Sequence, residues 1–230
     1  MNLNPVLLEM TLAMAGQKGP AMENLLVINA SPQGEASHSR QMTARFTRRW
    51  AENNPDGVVV ERDLGRWPVP HVDQQWISAA FTPEEARTPN QRAALEVSDA
   101  LVAELQDATT IVIGCPMHNL SVPSTLKAYI DQVVRIGVTT KLVPDTPQSP
   151  YVGLLSDKPT YLMLVRGGYG YEPGGAYAPM NFQEPYLTAV LGMLGIQSVK
   201  TITLEYTAMN SGCSDNALED TNACIDRLFE

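Results

Sequence analysis

Residues 25–40 read LLVINASPQGEASHSR and change from an apolar run to a polar loop and then to a helical pattern. The four apolar residues at the start predict a short buried strand, and the proline and glycine of the loop are typical of turns. From Ser37 onward an apolar side chain recurs every four residues, which predicts a helix that buries Met42, Phe46 and Trp50. A buried strand that leads through a polar loop into a helix is the repeating unit of an α/β fold.

The rest of the chain repeats this alternation of strand-length and helix-length segments. Further strands are predicted at residues 58–63, 110–114, 160–165 and 198–204, and further helices at 74–80, from 88 onward, and at 123–137, 181–195 and 216–229. The helix that begins at Thr88 is predicted to bury Ala94, Val97, Leu101 and Leu105. Continuously hydrophobic strands separated by helices form a doubly wound parallel sheet with helices on both faces.

Composition indicates the broad class of the protein. The chain has 230 residues, of which 44% are apolar, and its net charge is −9. We expect one globular domain over residues 23–230, preceded by a loose extension at residues 1–22. The negative charge argues against a nucleic-acid partner, and no run reaches the roughly 20 apolar residues that cross a membrane. The three cysteines form no CxxC pair and there are three histidines, so we expect a reducing, cytoplasmic location and no metal site.

The loop after the first strand suits an anion. A five-stranded doubly wound sheet is commonly ordered 2-1-3-4-5, and ligands bind at the carboxyl ends of strands 1 and 3, where the order reverses. Ser31, Ser37 and Ser39 stand there before a helix N-terminus, where free backbone N–H groups favour a group such as a monophosphate. The alternative interpretation is a capped helix that simply follows a polar turn.

The loops after the third and fourth strands suit a flat ring. Met117 can pack softly against such a ring, and the Asn119 amide can hydrogen-bond its nitrogens and carbonyls. His118 points to the same region, although a hydrogen-bonded loop residue is the simpler interpretation. Gly167 and Gly168 would let the backbone approach a ligand closely, although a flexible surface loop has the same composition.

Short motifs in a fixed order also resemble a known family. They are the serine loop, Pro116-Met117-His118-Asn119, Leu126-Lys127-x-Tyr129-x-Asp131, Arg135-x-Gly137-Val138-Thr139, Arg166-Gly167-Gly168, and Pro185-Tyr186-Leu187 with Leu191-Gly192-x-x-Gly195-Ile196. Together they resemble the FMN-dependent NADH-azoreductases, a branch of the flavodoxin-like quinone reductases. The resemblance implies a flavodoxin-like fold, bound FMN, NADH or NADPH as hydride donor, a quinone, azo or related aromatic acceptor, ping-pong transfer, and a homodimer.

The resemblance also implies which residues form the site. Ser31, Ser37, His38 and Ser39 are expected to hold the FMN phosphate and ribityl chain; Pro116, Met117, His118, Asn119 and Leu120 to line the isoalloxazine ring; and Val165, Arg166, Gly167 and Gly168 to approach its pyrimidine end. The chain departs from the family pattern at four positions. The family usually has an aromatic residue where His118 stands and phenylalanine where Leu120 stands. It usually has serine or threonine in place of Val165, and glycine in place of Tyr206. Because histidine changes charge near neutral pH, we hypothesise that His118 contacts the acceptor during catalysis.

Other functions are compatible with the same motifs. A specialised reductase for a biosynthetic or xenobiotic substrate would use the same cofactor site. A flavodoxin-like electron carrier would also bind FMN, but the long loops at residues 64–88 and 166–180 look like the walls of a substrate pocket. A binding protein without enzyme activity could share the fold, since fold alone does not fix function.

Overall fold

The structure is a computed structural model that describes residues 22–144, 149–209 and 213–230. Apart from Met22, the extension expected at residues 1–22 lies outside the described residues. The strands are β1 (Asn24–Asn29), β2 (Val58–Asp63), β3 (Thr110–Pro116), β4 (Thr140–Leu142), β5 (Tyr151–Gly153), β6 (Thr160–Val165) and β7 (Val199–Leu204). The α-helices are α1 (His38–Asn53), α2 (Gln74–Ala80), α3 (Pro89–Asp107), α4 (Ser124–Val133), α5 (Glu184–Leu194) and α6 (Cys213–Asp226).

Five strands form one parallel sheet in the order β2-β1-β3-β6-β7, which confirms the expected order 2-1-3-4-5. The register pairs Asn29 with Gly114 and Pro116 with Val165, so the carboxyl ends of β1, β3 and β6 lie side by side. β4 and β5 form a separate antiparallel pair that the sequence did not predict. Each of these two strands has only three residues, too few for an alternating pattern to be recognised.

Helices cover the sheet on both faces, as expected. Leu26 and Ile28 of β1 pack in the core that includes residues of α3, α4 and α5, whereas Leu25 and Val27 face the core with α1 and α6. Burying each such side chain stabilises the fold by about 1.5–3 kcal/mol. The buried stripe predicted for α1 is confirmed at Met42, Phe46 and Trp50. None of the helices in the described ranges is long and apolar enough to cross a membrane.

The buried face of α3 differs from the prediction. The cap is as expected: Thr88 and Gln91 form a capping box, with proline at the first helical position. However, Val97 is 42% exposed, and the buried residues are Leu95, Ser98, Leu101, Val102 and Leu105. The sequence pattern placed the buried face on a different side of the helix because it counted only apolar residues. Ser98 is polar but buried, since its hydroxyl donates to the carbonyl of Gln132 on α4.

The fourth predicted helix is shorter than the sequence indicated. It was expected to continue to residue 137, but α4 ends at Val133. The side chain of Thr139 replaces the next helical turn, because its hydroxyl donates to the Val133 carbonyl at 2.6 Å and accepts from the Arg135 N–H at 2.9 Å. A threonine hydroxyl offers the backbone an alternative to helical hydrogen bonds, and here that alternative ends the helix.

Gly114 brings the start of α1 close to β3. A Cβ atom at this position would lie 2.8 Å from Cγ2 of Thr43 and 3.0 Å from the carbonyl oxygen of Ser39. Only glycine has no side chain to occupy this space. The first turn of α1 can therefore rest against the strand that leads into the next loop of the site.

Candidate functional site

The residues expected to form the site converge at the carboxyl edge of the sheet. Three loops leave this edge, after β1, β3 and β6, at adjacent strand ends. They carry Ser31, Ser37, His38 and Ser39; Pro116, Met117, His118, Asn119 and Leu120; and Arg166, Gly167 and Gly168, which follow Val165 at the end of β6. This edge includes the point where the strand order reverses, which is the usual ligand position in an open α/β sheet.

The loop after β1 turns three serine side chains into the protein. Ser31, Ser37 and Ser39 are each at most 2% exposed. The hydroxyls of Ser37 and Ser39 lie 3.1 Å apart, and the hydroxyl of Ser31 accepts from the Gln33 N–H. The Ser37 hydroxyl also caps α1 by accepting from the Arg40 N–H. The capping interpretation is therefore correct for Ser37. The hydroxyls of Ser31 and Ser39 do not cap the helix.

Several polar groups at the start of α1 have no partner in the described part of the chain. The backbone N–H groups of His38 and Ser39 donate to no protein acceptor there, and Nδ1 of His38 is buried without a hydrogen bond. The first backbone N–H groups of a helix have no intrahelical partner, and a buried polar atom such as Nδ1 of His38 is nearly always satisfied in folded proteins, so these groups are available to a ligand or water. The positive end of the helix dipole favours an anion here. The group fits the phosphate of FMN.

Arg40, which follows Ser39 in the chain, is already paired with carboxylates. Arg40 donates to a carboxylate oxygen of Asp63 at 2.8 Å, and Glu61 lies 3.5 Å away. The hydrogen bond with Asp63 raises the pKa of Arg40. Burial favours the neutral form of Asp63, but the hydrogen bonds from Arg40 and from the Arg66 backbone lower the pKa of Asp63 below its ordinary value. A phosphate at the start of α1 would thus be held mainly by neutral donors and the helix dipole.

The loop after β3 is a tight turn under backbone strain. The Met117 N–H donates to the carbonyl of Val165, and His118 and Ser121 then exchange two backbone hydrogen bonds of 2.9 and 3.0 Å. Between them, Asn119 and Leu120 have φ of 49° and 70°. Two successive left-handed residues are typical of a type I′ turn, which asparagine accepts easily and leucine does not.

A segment before α5 holds this turn in place. The backbone N–H of Phe182 donates to the Leu120 carbonyl at 3.0 Å, and the Ser121 hydroxyl donates to the Phe182 carbonyl at 3.1 Å. The side chains of His118 and Asn119 remain exposed. The turn therefore keeps its polar side chains open to solvent while its backbone stays fixed, and strain of this kind concentrates at ligand sites.

In the loop after β6, the side chain of Arg166 and the backbone of the two glycines have different roles. Arg166 is 2% exposed, and its guanidinium donates to Gln183, Glu184 and Glu205 at 3.1, 3.3 and 3.2 Å. Its side chain is therefore committed to protein partners. The backbone N–H groups of Gly167 and Gly168 donate to no acceptor in the described residues, which leaves them for a ligand.

The sequence did not predict this buried network. Gln183 is fully buried, and its amide donates to the Cys115 carbonyl at 2.9 Å while its oxygen accepts from Arg166. It thus joins the end of β3 to the start of the loop after β6. Its partners are far away along the chain, so no local pattern could have found it. The thiol of Cys115 is buried as expected, and burial raises its pKa to about 12, which keeps it an unreactive thiol.

No group of three metal-binding side chains occurs within the ranges that the structure describes.

Comparison with known proteins places the chain among flavin enzymes. The flavodoxin-like fold family matches residues 23–227. An FMN-dependent NADH:quinone oxidoreductase 2 from Trichormus variabilis is 41% identical over 204 residues, covering 89% of this chain and 97% of that protein.

Two further similarities agree with this. An FMN-dependent NAD(P)H:quinone oxidoreductase 1 from Pseudomonas aeruginosa is 42% identical over 185 residues, covering 80% of this chain and 87% of that protein. The crystal structure of an azoreductase from Bacillus anthracis superposes with a TM-score of 0.77 at 26% identity, covering 90% of this chain and all of that one.

Proposed function

The chain belongs to the flavodoxin-like fold family, and we propose that it is an FMN-dependent NAD(P)H oxidoreductase that reduces quinones or azo compounds. The donor is NADH or NADPH, and the reaction is ping-pong: a hydride is taken from the nucleotide before two electrons pass to the acceptor. When bound, FMN supplies the redox chemistry, and the protein supplies binding and orientation.

The observation that carries this proposal is the set of unsatisfied donors at the start of α1. Ser31, Ser37, His38 and Ser39 would hold the phosphate and the adjoining ribityl chain. Neutral hydroxyls and backbone N–H groups can fix a phosphate in position without a cationic side chain. Its burial also favours a resident cofactor over a ligand that exchanges in each turnover.

The other two loops would orient the ring. Pro116, Met117, His118, Asn119 and Leu120 would line the isoalloxazine, with the strained turn fixing the Asn119 amide at its edge. Val165, Arg166, Gly167 and Gly168 would approach the pyrimidine end, where the two glycine N–H groups can donate to ring carbonyls. The Arg166 side chain acts as a positioning group, because its contacts with Gln183, Glu184 and Glu205 hold this loop in place.

His118 is the side chain we assign to the acceptor. It is exposed at the tip of the turn after β3, while its backbone is fixed by Ser121. There it can donate a hydrogen bond as the acceptor oxygen gains charge. His118→Phe should lower kcat/KM for quinone while leaving the rate at which NADH reduces the bound FMN unchanged. An unchanged kcat/KM for quinone would remove this role from His118.

The remaining features of the proposal concern the whole protein. Residues 23–230 act as one FMN-binding domain, and the active form is a cytoplasmic homodimer with no nucleic-acid or membrane partner. The net charge of −9 supports the absence of a nucleic-acid partner.

Initial-rate kinetics test the proposed reaction. With NADH and a quinone both varied, the double-reciprocal plots should be parallel, because the nucleotide leaves before the acceptor binds. Intersecting lines would show a ternary complex and contradict ping-pong transfer. Absence of any turnover with bound FMN would instead indicate an electron carrier.

A further inference from the structure

Two loops would hold the flavin ring, residues 117–121 after β3 and residues 166–168 after β6, and we call them the ring loops. The sheet joins them as far as one hydrogen bond, in which the Met117 N–H donates to the Val165 carbonyl at 2.7 Å. Beyond it the ring loops separate, because the first forms its own turn and the second is hydrogen-bonded to β7 and the residues after it. Contacts outside the sheet therefore fix how the ring loops lie relative to each other.

A short segment before α5, residues 181–184, reaches both ring loops. On one side, the backbone of Phe182 is hydrogen-bonded to the turn of the first ring loop. On the other side, the side chains of Gln183 and Glu184 accept from the Arg166 guanidinium of the second ring loop at 3.1 and 3.3 Å. The segment therefore bridges the ring loops where the sheet no longer does.

Gln183 makes its connections with a single buried amide. Its Nε2 donates to the Cys115 carbonyl at 2.9 Å, two residues before the first ring loop, and its Oε1 accepts from Nε of Arg166. The start of α5 does not use this side chain, because Oδ1 of Asn181 accepts from the backbone N–H groups of Gln183 and Glu184. A fully buried amide costs free energy unless its donor and acceptor are both used. The two connections therefore explain why a polar side chain occupies this position.

We propose that Gln183 is a positioning residue that holds the glycine N–H groups of the second ring loop at the flavin, so that the site binds reduced flavin more tightly than oxidised flavin. The inference rests on the proposed function. The N–H groups of Gly167 and Gly168, which have no acceptor in the described residues, directly follow Arg166. They would face the pyrimidine end of the ring.

The difference between the two forms of flavin comes from charge. A hydride brings two electrons and one proton, so the reduced ring carries one additional negative charge, which lies mainly at the pyrimidine end. Hydrogen bonds to a charged acceptor are about twice as strong as those to a neutral acceptor. N–H groups fixed at that end therefore stabilise the reduced flavin more than the oxidised flavin, and displaced N–H groups lose this advantage.

The test compares the two forms of flavin in Gln183→Met, which removes both hydrogen bonds and leaves an unbranched side chain of similar length. We expect the Kd for oxidised FMN to rise about three- to tenfold, as the loss of neutral hydrogen bonds predicts, and the Kd for reduced FMN to rise about ten- to hundredfold. A tenfold greater loss for the reduced form lowers the two-electron potential by about 30 mV. Riboflavin, which has the same ring, should show the same shift.

Two measurements give these values. Quenching of flavin fluorescence gives the Kd for the oxidised form, and anaerobic equilibration of the dithionite-titrated holoenzyme with a redox dye gives the potential. Because dithionite supplies the electrons, the comparison does not depend on NADH.

Gln132 offers a matched control. It is also a buried glutamine with both amide groups used, since Nε2 donates to the Pro70 carbonyl at 2.9 Å and Oε1 accepts from Nε1 of Trp76 at 2.8 Å. It lies on α4 and connects to the loop after β2 instead of to the ring loops. Gln132→Met should therefore lower stability in urea as Gln183→Met does, but leave the flavin potential unchanged.

If Gln183→Met does not fold, Gln183→Asn serves the same test, because its amide is one methylene too short to reach both partners. Equal rises in Kd for oxidised and reduced flavin, or the same shift of potential in Gln132→Met, would overturn the positioning role. A wild-type protein whose flavin is reduced by dithionite but not by NADH or NADPH would contradict the proposed function, while the potential still tests Gln183. A wild-type protein that binds no flavin would overturn both.

Discussion

At the scale of single residues, the serine loop combines two structural tasks at one helix start. Ser37 closes the first turn of α1, while Ser39 is buried with its hydroxyl 3.1 Å from that of Ser37. The unsatisfied N–H groups of His38 and Ser39 lie in the same turn. A ligand phosphate would complete the hydrogen bonding of all these groups at once.

Substitution of Ser39 separates the phosphate contact from the helix cap. Ser39→Ala should raise the Kd for FMN about ten- to hundredfold, because a hydrogen bond to a charged group contributes about 1.5–3 kcal/mol. The Kd for riboflavin, which lacks the phosphate, should not change. Quenching of flavin fluorescence measures both constants. Equal losses for FMN and riboflavin would place the phosphate elsewhere.

The residues that the sequence revealed and those that it concealed differ in the range of their contacts. The three serines stand out because they are close together between a strand and a helix. Gln183 and Glu205 have no such local signal, since each acts on Arg166 from a distant part of the chain. The sequence could therefore identify the Arg-Gly-Gly motif but not that its arginine is held by buried partners.

At the scale of elements, the contact between α1 and β3 sets the width of the phosphate site. Gly114→Ala would place a methyl group against Thr43 and the Ser39 carbonyl. We expect a loss of about 1–3 kcal/mol in the free energy of unfolding, as overpacking usually gives, together with weaker FMN binding. Urea denaturation and FMN titration measure the two effects. Wild-type values for both would show that α1 does not depend on this contact.

The loop before β6 depends on a carboxylate for its connection to β7. Asp157 accepts from the Ser198 hydroxyl at 2.6 Å and from the backbone N–H groups of Gln197 and Ser198. The hydroxyl contact and the two backbone contacts lower the pKa of Asp157 from 3.8 to about 2. A carboxylate with a depressed pKa stabilises the fold above its ordinary pKa, and this contribution disappears as pH falls through the folded-state value.

Asp157→Asn tests that dependence. The variant should be less stable than wild type at pH 7, and the difference in the free energy of unfolding should shrink as pH falls from about 4 to about 2. Chemical denaturation at several pH values gives both curves. A difference that stays constant across this range would show that the charge of Asp157 is not the cause.

Elements with their own pattern were predictable, and elements fixed by a distant partner were not. β2, β6 and α2 match their predicted bounds because apolar runs and turn residues define both ends. The end of α4 depends on the Thr139 hydroxyl, and the buried face of α3 depends on a bond between Ser98 and Gln132. Such side-chain contacts are invisible to a pattern of apolar residues.

At the scale of the whole molecule, the small β4–β5 sheet and the residue that follows it expose apolar side chains. Leu142, Tyr151, Val152 and Leu154 are between 37% and 54% exposed. Clustered apolar exposure is typical of an interaction surface, and the proposed homodimer would cover it. Light scattering should give twice the mass of one chain, and Val152→Asp should shift the mass toward one chain. A monomeric wild type would contradict the dimer.

The proposed function requires that this fold binds FMN and passes reducing equivalents through it. The first experiment is an anaerobic titration of the FMN-loaded protein with NADH, followed by visible flavin absorbance. We predict rapid bleaching with one equivalent of NADH and full recovery of the absorbance when a quinone is added. Bound flavin that NADH does not bleach, or a protein that takes up no FMN, would contradict the proposed function.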